Sequence, residues 1–252
     1  MIPKVATRKI GLARALSKLG YCSRSRAAEL IRGGRVRLNG GLRRDPETPV
    51  HLEKDHIEVD DRTVEIQQKI YLMMNKPRGA VTTASDEKGR ETVYAVLAKA
   101  DKSLPWVAPV GRLDKASEGL LLLTNDSEWG GRIAAPETHL EKTYHVQIDA
   151  VADEKLIAAL VRGVRGGGDL LRARQSRMLR SGEKNCWIEI VLDEGKNRQI
   201  RRMLAALGIE VLRLVRVGIG PLQLGDLAKG ALRALKKEEK KMLDHAMREG
   251  NS

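Results

Sequence analysis

The chain has 252 residues, enough to bury a sizeable core as one large domain or two unequal ones, and it carries 46 Lys and Arg against 33 Asp and Glu, a formal charge of +13. Two distant cysteines (Cys22 and Cys186) and five histidines without ligand spacing argue against a structural zinc site, and no apolar run reaches membrane-spanning length. With three Trp, four Tyr and no Phe, an aromatic stacking platform like that of sheet-based RNA readers is not expected, and the N-terminus lacks the apolar core of a signal peptide. The expectation is a cytoplasmic protein without metal or cofactor, with cores built from Leu, Ile, Val and Met.

The charge is unevenly placed. Residues 1–44 hold twelve Lys or Arg and a single acid, Glu29. Such asymmetry points to a polyanionic partner, with a merely solvated basic surface as the alternative. Residues 1–9 are polar and predicted to be disordered. Apolar residues at 12, 15, 16 and 19 predict a helix ended by Gly20, and Ser23 is placed to cap a second helix over Arg24 to Ile31, closed by Gly33-Gly34. Val36 to Gly40 alternates as a strand entering a hairpin turn, and His56 to Asp60 as another strand. Arg14, Lys18, Arg24, Arg26 and Arg32 therefore lie on two short helices ahead of small strands. Residues 45–65 are acidic, and these acids are expected on the side turned away from any polyanion.

The pattern Ser23-Arg24, Ala28, Leu30-Ile31, Arg35-Val36-x-Leu38-Asn39-Gly40 resembles the S-four RNA-binding domain, the αL motif. That resemblance implies binding of structured RNA by shape and backbone contacts, with Arg14, Lys18, Arg24 and Arg26 neutralising phosphates.

Further along, Ile70 to Met74 predicts a buried strand running into Asn75-Lys76-Pro77-Arg78-Gly79. Pro77 and Gly79 set a turn from which Lys76 and Arg78 can reach phosphate, and an ordinary strand-loop-strand is equally open. Thr92 to Ala98 is read as a helix. Trp106 to Val110 leads to Gly111-Arg112-Leu113-Asp114 and then to Leu120–Leu123, whose flanking Gly119 and Asn125-Asp126 leave room for a buried strand only. Asp114 thus sits on a loop beside the core, either as a turn residue or as a reactive carboxylate. Ser127 to Ile133 predicts a short helix, Leu140 to Ile148 a strand whose Tyr144 is by itself a core residue, and Lys155 to Leu160 a helix. Gly166-Gly167-Gly168 is read as a flexible loop without a nucleotide role, and Trp187 to Leu192 as a strand. Asn197 is placed to cap a helix ended by Gly208, with Ile200, Met203, Leu204 and Leu207 on one face and Arg198, Arg201 and Arg202 on the other. Val211 to Val217 is a further strand, and Leu232 to Met247 a charged helical tail.

Gly111-Arg112-Leu113-Asp114-Lys115-Ala116-Ser117-Glu118-Gly119-Leu120 resembles the catalytic motif of the pseudouridine synthases of the ribosomal small-subunit (RsuA-like) family, with Ser117 where threonine is usual. Asn75-Lys76-Pro77-x-Gly79, Lys142-x-Tyr144-x-Val146 and Glu194-Gly195-Lys196-Asn197-Arg198-Gln199-Ile200-Arg201-Arg202-Met203 resemble its other motifs. The resemblance implies an α+β chain: a small αL RNA-binding domain over 10–65, a mixed, mainly antiparallel-sheet synthase domain over 70–230, and a charged tail over 231–252. It implies isomerisation of uridine to pseudouridine in structured, ribosomal RNA by a monomer. That reaction breaks the ribose–nitrogen bond, turns the ring and rebonds through carbon, and it needs no redox partner. Asp114 falls on the catalytic aspartate, with its point of attack left open. Tyr144 would stack on the base and assist deprotonation, and Arg201 would pair with Asp114 and favour its ionised form. Ile200 would line the base pocket, Arg112 would fill the space of the flipped nucleotide, and Lys76 and Arg198 would contact RNA. A non-catalytic RNA binder or a helix-turn-helix DNA binder accounts for the basic N-terminus, but not for motifs gathered around one carboxylate and one arginine.

Overall fold

Short basic segments with helical apolar spacing can bury one stripe and leave their cations in water, and the N-terminal helices do so. The computed structural model describes residues 9–83 and 89–249. The disorder expected over 1–9 lies, Lys9 apart, outside the described residues. The chain divides into two compact units, one taking Met1–Tyr71 with Ser103–Ala108 and Thr124–Gly130, the other Leu72–Lys102, Pro109–Leu123 and Gly131–Ser252.

In the first unit, β1 (Ile10–Gly11) leads into α1 (Leu12–Lys18) and α2 (Arg24–Arg32). Leu12, Ala15 and Leu16 are fully buried and Arg14 is exposed. Ser23 caps α2 as expected, its hydroxyl accepting from Arg26 N at 3.1 Å, a contact whose loss typically costs about 1 kcal/mol. Then come β2 (Val36–Leu38), β3 (Gly41–Arg43), β4 (Pro49–Val50), β5 (Ile57–Val59) and β6 (Arg62–Thr63). The strand β4 pairs back on β1, and the others form an antiparallel sheet in the order β3-β2-β5-β6. Asn39 and Gly40, both at positive φ (52° and 76°), make the tight β2–β3 turn. The segment Thr124–Gly130 belongs to this unit because its polar groups are satisfied there. Asn125 accepts from Ile70 N and donates to Gln68 O, each at 2.9 Å, and Asp126 accepts from the Tyr71 hydroxyl and pairs with Lys69, again at 2.9 Å.

The remaining elements are β7 (Tyr71–Lys76), α3 (Val93–Ala100), β8 (Ala108–Val110), β9 (Glu118–Thr124), α4 (Ser127–Ala134), β10 (Lys142–Ile148), α5 (Glu154–Arg162), β11 (Val164–Gly166), β12 (Asp169–Leu171), β13 (Gln175–Ser181), β14 (Cys186–Leu192), α6 (Gln199–Ala206), β15 (Val211–Ile219), β16 (Leu222–Gln223), β17 (Leu232–Ala234) and α7 (Lys237–Glu249). One mixed sheet runs β13-β14-β10-β15-β9-β7-β17, with β16 on β15 and β8 on β9. Its described pairings are antiparallel except β15 with β9. The four leucines of β9 are 0% exposed, each worth about 1.5–3 kcal/mol relative to exposure. Gly119 permits the parallel pairing, because a Cβ there would stand 2.2 Å from Arg216 O.

Several expectations are corrected. The cap of α6 is Arg198 in a left-handed conformation (φ 49°), not Asn197, and no side chain caps it. Leu207, placed on the core face, is 38% exposed because α6 has ended before it. Gly166 to Gly168 is not an open loop: Gly166 pairs with Asp169, and Gly167-Gly168 is the turn between β11 and β12. The tail is helical only from Lys237, since Leu232–Ala234 completes the sheet edge on β7. The strand β13, Gln-Ser-Arg-Met-Leu-Arg-Ser, was not anticipated; it lacks apolar alternation and owes its form to pairing with β14.

Candidate active site

The loop between β8 and β9 carries Arg112 and Asp114, both exposed, and is anchored by Leu113, which is buried. Its backbone is fastened from several sides. The Thr82 hydroxyl donates to Leu113 O at 2.8 Å and accepts from Leu113 N at 3.3 Å. Four successive carbonyls then find donors. Asp114 O accepts from Ser117 N (3.0 Å) and Lys76 Nζ (3.1 Å), and Lys115 O from Gly79 N (2.8 Å). Ala116 O accepts from Arg201 Nη2 (3.2 Å) and Ser117 O from Lys76 Nζ (2.8 Å). A buried carbonyl such as Ser117 O costs about 1–3 kcal/mol when left unpaired, and the donors to the other three tie the loop further.

Lys76 is therefore not a phosphate contact, which corrects the sequence expectation. It is 0% exposed, the last residue of β7, and its ammonium reaches Pro77 O (3.2 Å) in addition to the two loop carbonyls. Burial pushes its pKa down to about 8, against the opposing attraction of Asp114 and Glu118. The Asn-Lys-Pro-Arg-Gly segment thus acts from beneath the loop. Arg78 stays exposed, and its guanidinium donates to Leu212 O at 3.3 Å.

Above the loop lies a pocket of about 210 Å³ that brings together Arg112, Asp114, Tyr144, Arg198, Ile200 and Arg201. They come from the β8–β9 loop, β10 and the start of α6, segments far apart in sequence. Leu192, Leu214 and Gln199 also line it, and the sequence reading assigns them no role. The inward alternation of the flanking strands and the motif position of Gln199 were the available signals. Gln199 is buried, with Nε2 donating to Arg172 O (3.0 Å) and Glu194 Oε1 (2.7 Å), which fastens the loop before α6. The volume is below the about 300–1,000 Å³ of drug-sized clefts and suits one base.

Arg201 departs from the expected geometry. Among the described residues it forms no ion pair with Asp114; its guanidinium donates to Ala116 O and Val211 O, each at 3.2 Å. Burial and the nearby Arg198 lower its pKa while Asp114 acts in the opposite direction, and a guanidinium keeps its charge under such shifts. The arginine thus contributes positive charge to the pocket and fastens the loop of Asp114 through the backbone. Glu118, immediately after the loop, is 2% exposed and held by Arg213 (3.2 Å) and Lys229 (2.7 Å). Although burial opposes ionisation, these two cations hold its carboxyl below the usual range.

In the first unit, a concavity of about 1040 Å³ is lined by Lys9, Arg14, Lys18, Arg24 and Arg32, but also by Glu29, Glu47 and Glu53. The acids of residues 45–65 are therefore not all turned away from the basic helices, because pairing β4 with β1 brings Glu47 against Gly11. Lys18 is paired with Glu128, and Arg26 with Glu29 at 2.9 Å, so Arg14 and Arg24 are the expected cations without a described carboxylate partner.

Residues 70–206 match the model of the RNA pseudouridylate synthase family, and residues 10–57 match the S4 domain. The chain is 36% identical over 233 residues to an RNA pseudouridine synthase of Aquifex aeolicus, covering 92% of each chain. It is 34% identical over 235 residues to the ribosomal large subunit pseudouridine synthase B of Bacillus subtilis, covering 92% of this chain and 94% of that one. A crystal structure of a pseudouridylate synthase superposes with a TM-score of 0.63 at 30% identity, covering 93% of this chain and 99% of the other. The chain belongs to the RNA pseudouridylate synthase family. It is an α+β isomerase with an N-terminal S4 domain, and it converts uridine to pseudouridine in RNA. Among the described residues no helix is long and apolar enough to cross a membrane.

Proposed function

We propose that the substrate is ribosomal RNA, of the large subunit, and that Asp114 is the catalytic carboxylate. The observation that carries this reading is the convergence of Asp114, Tyr144, Ile200 and Arg201 on one base-sized pocket from three distant segments. The substrate class is supported by the Bacillus subtilis relative named for the large ribosomal subunit.

The flipped uridine enters against Ile200, Leu192 and Leu214, with Tyr144 on the face of its ring. Arg112, exposed at the mouth, occupies the space the nucleotide leaves, and Arg198 meets a flanking phosphate. The glycosidic C1′–N1 bond breaks, the uracil turns within the pocket, and C5 bonds to C1′. The C5 proton then leaves and N1 ends protonated, so the atoms balance without an added group. Asp114 supplies the carboxylate for this work, and the guanidinium of Arg201 contributes positive charge to the same pocket. The proposal takes the protein to act as a monomer, since Asp114, Tyr144, Ile200 and Arg201 are all supplied to the pocket by one chain. Cys22 and Cys186, both free and buried, suit the reducing cytoplasm.

Mapping pseudouridine in ribosomal RNA from cells with the protein, without it, and with Asp114→Asn tests this reading. One position or a small set is expected to lose the modification in both altered strains. Unchanged maps would reject the ribosomal substrate, and a map restored by the variant would reject Asp114.

A further inference from the structure

The strands β13, β14, β10 and β15 present two faces. On one, Val146, Ile148, Ile188, Ile190 and Leu214 join the core that α5 and α6 cover. Strand alternation sends the intervening side chains to the opposite face. There the registers align Arg180, Trp187, Gln147 and Arg213 in one row across the four strands. Half-buried Trp187 lies under two guanidinium groups, Arg180 at 5.1 Å and Arg213 at 5.4 Å from the ring centroid. Beside it is a groove of about 390 Å³, with Leu179, Val215 and Val217 as an apolar floor and His145 at its edge.

The two arginines are not equivalent. Arg213 is committed to Glu118 through two 3.2 Å contacts. Arg180 is exposed and has no carboxylate partner among the described residues, so its charge is balanced by nothing but the indole face. A guanidinium lying over an aromatic ring keeps N–H donors free for a phosphodiester oxygen. The floor asks for a flat apolar surface at the same time. An acidic side chain would satisfy Arg180 and leave Leu179, Val215 and Val217 wet, whereas an unstacked nucleotide covers both.

We propose that this groove takes one unpaired nucleotide of the substrate RNA, remote from the reacting uridine, with its phosphate on Arg180 and its base or ribose on the Leu179–Val215–Val217 floor. The inference rests on the chain acting on RNA, not on the choice of RNA. The groove lies on the far side of the sheet from Tyr144, so the RNA it holds is a segment separate from the one entering the pocket.

The test compares the full-length protein with Arg180→Ala and Arg180→Lys, measuring affinity for a 4-thiouridine-substituted ribosomal RNA fragment over a salt series and mapping photo-cross-links. Arg180 is chosen because replacing Arg213 would reach the Asp114 loop through Glu118. Expected are a roughly three- to tenfold loss of affinity in Arg180→Ala, a salt slope smaller by about one, and an unchanged kcat at saturating RNA. Arg180→Lys is expected to restore the slope but not the full affinity, and wild-type cross-links to residues 175–192 should vanish in Arg180→Ala. Equal affinity and slope for wild type and Arg180→Ala would overturn the proposal, as would cross-links confined to the first unit and the Asp114 pocket. Intact RNA binding with loss of a polyglutamate peptide would overturn it in favour of an acidic protein partner. Wild-type turnover on the same RNA is measured alongside. Its absence speaks to the choice of ribosomal substrate, while the groove is judged on the difference between wild type and variant.

Discussion

The concavity of the first unit and the pocket around Asp114 use charge in opposite ways. The first spreads five cations and three acids around about 1040 Å³, two of them, Lys18 and Glu29, already in ion pairs. The second gathers one carboxylate and three arginines around about 210 Å³, on a loop with four consecutive carbonyls engaged. Exposed pairs contribute little individually and are screened by salt, so the concavity can lose one contact and still bind. On the proposed reading the pocket has no such redundancy, because its groups would have to meet one base in one geometry.

The largest effect should follow from the smallest change in shape. Asp114→Asn is expected to lower single-turnover pseudouridine formation by at least about 10⁴-fold with RNA affinity almost unchanged. Substantial turnover would return Asp114 to the status of a turn residue. Loss of affinity along with turnover would mean that the two regions are not separable in this way.

Arg201→Leu removes both the pocket charge and the donor to Ala116 O. It is expected to cost about 10²–10³-fold in kcat, whereas Arg198→Ala, exposed at the N-terminus of α6, should mainly raise the RNA concentration needed for half-maximal rate. A reversal of these two phenotypes would move the key arginine by one turn of chain.

Lys76→Met probes the loop from beneath. With Pro77 O and Ser117 O losing the lysine donor and Asp114 O left with Ser117 N alone, the expected cost is about 2–4 kcal/mol in stability, together with a loss of about 10–100-fold in kcat through a displaced Asp114. The pH dependence has a definite sign. The native pKa of Lys76, about 8, lies below the unfolded value of 10.5. Between those values the native state binds fewer protons, so the stability this residue contributes rises with pH over that window and is flat below about pH 8. Chemical denaturation of wild type and Lys76→Met from pH 7 to 10 should show that widening difference, and a difference constant across the range would contradict a desolvated amine.

The smallest effect belongs to the concavity. Arg24→Ala is expected to weaken RNA binding by about two- to threefold at moderate salt and to reduce the salt slope by about one, leaving kcat alone. A loss comparable to that of Arg201→Leu would show that the first unit is not built on redundant contacts.

Much of this protein was legible in local order. The Ser23 cap, the Asn39-Gly40 turn, the buried leucines of β9 and the separation of apolar from basic faces in α1 and α2 depend on nearest neighbours, where side-chain spacing and backbone preference decide the outcome. Three of the four resembling motifs hold Arg112, Asp114, Tyr144, Arg198, Ile200 and Arg201 of the pocket, but Leu192 and Leu214 lie outside all of them. The sequence could not reveal what those residues touch. Lys76 is a surface cation by composition, and only the end of β7 passing under the Asp114 loop buries its ammonium among carbonyls. Arg201 stands near Asp114, yet Ala116 O and Val211 O take its donors. Glu47 joins the basic helices because β4 returns to β1, and Gln-Ser-Arg-Met-Leu-Arg-Ser becomes an edge strand because β14 offers it a partner. For Lys76, Arg201 and Glu47 the deciding contact joins separate segments of the chain, for β13 it is the neighbouring strand of a hairpin, and in each case the partner outweighs the preference of the residue itself.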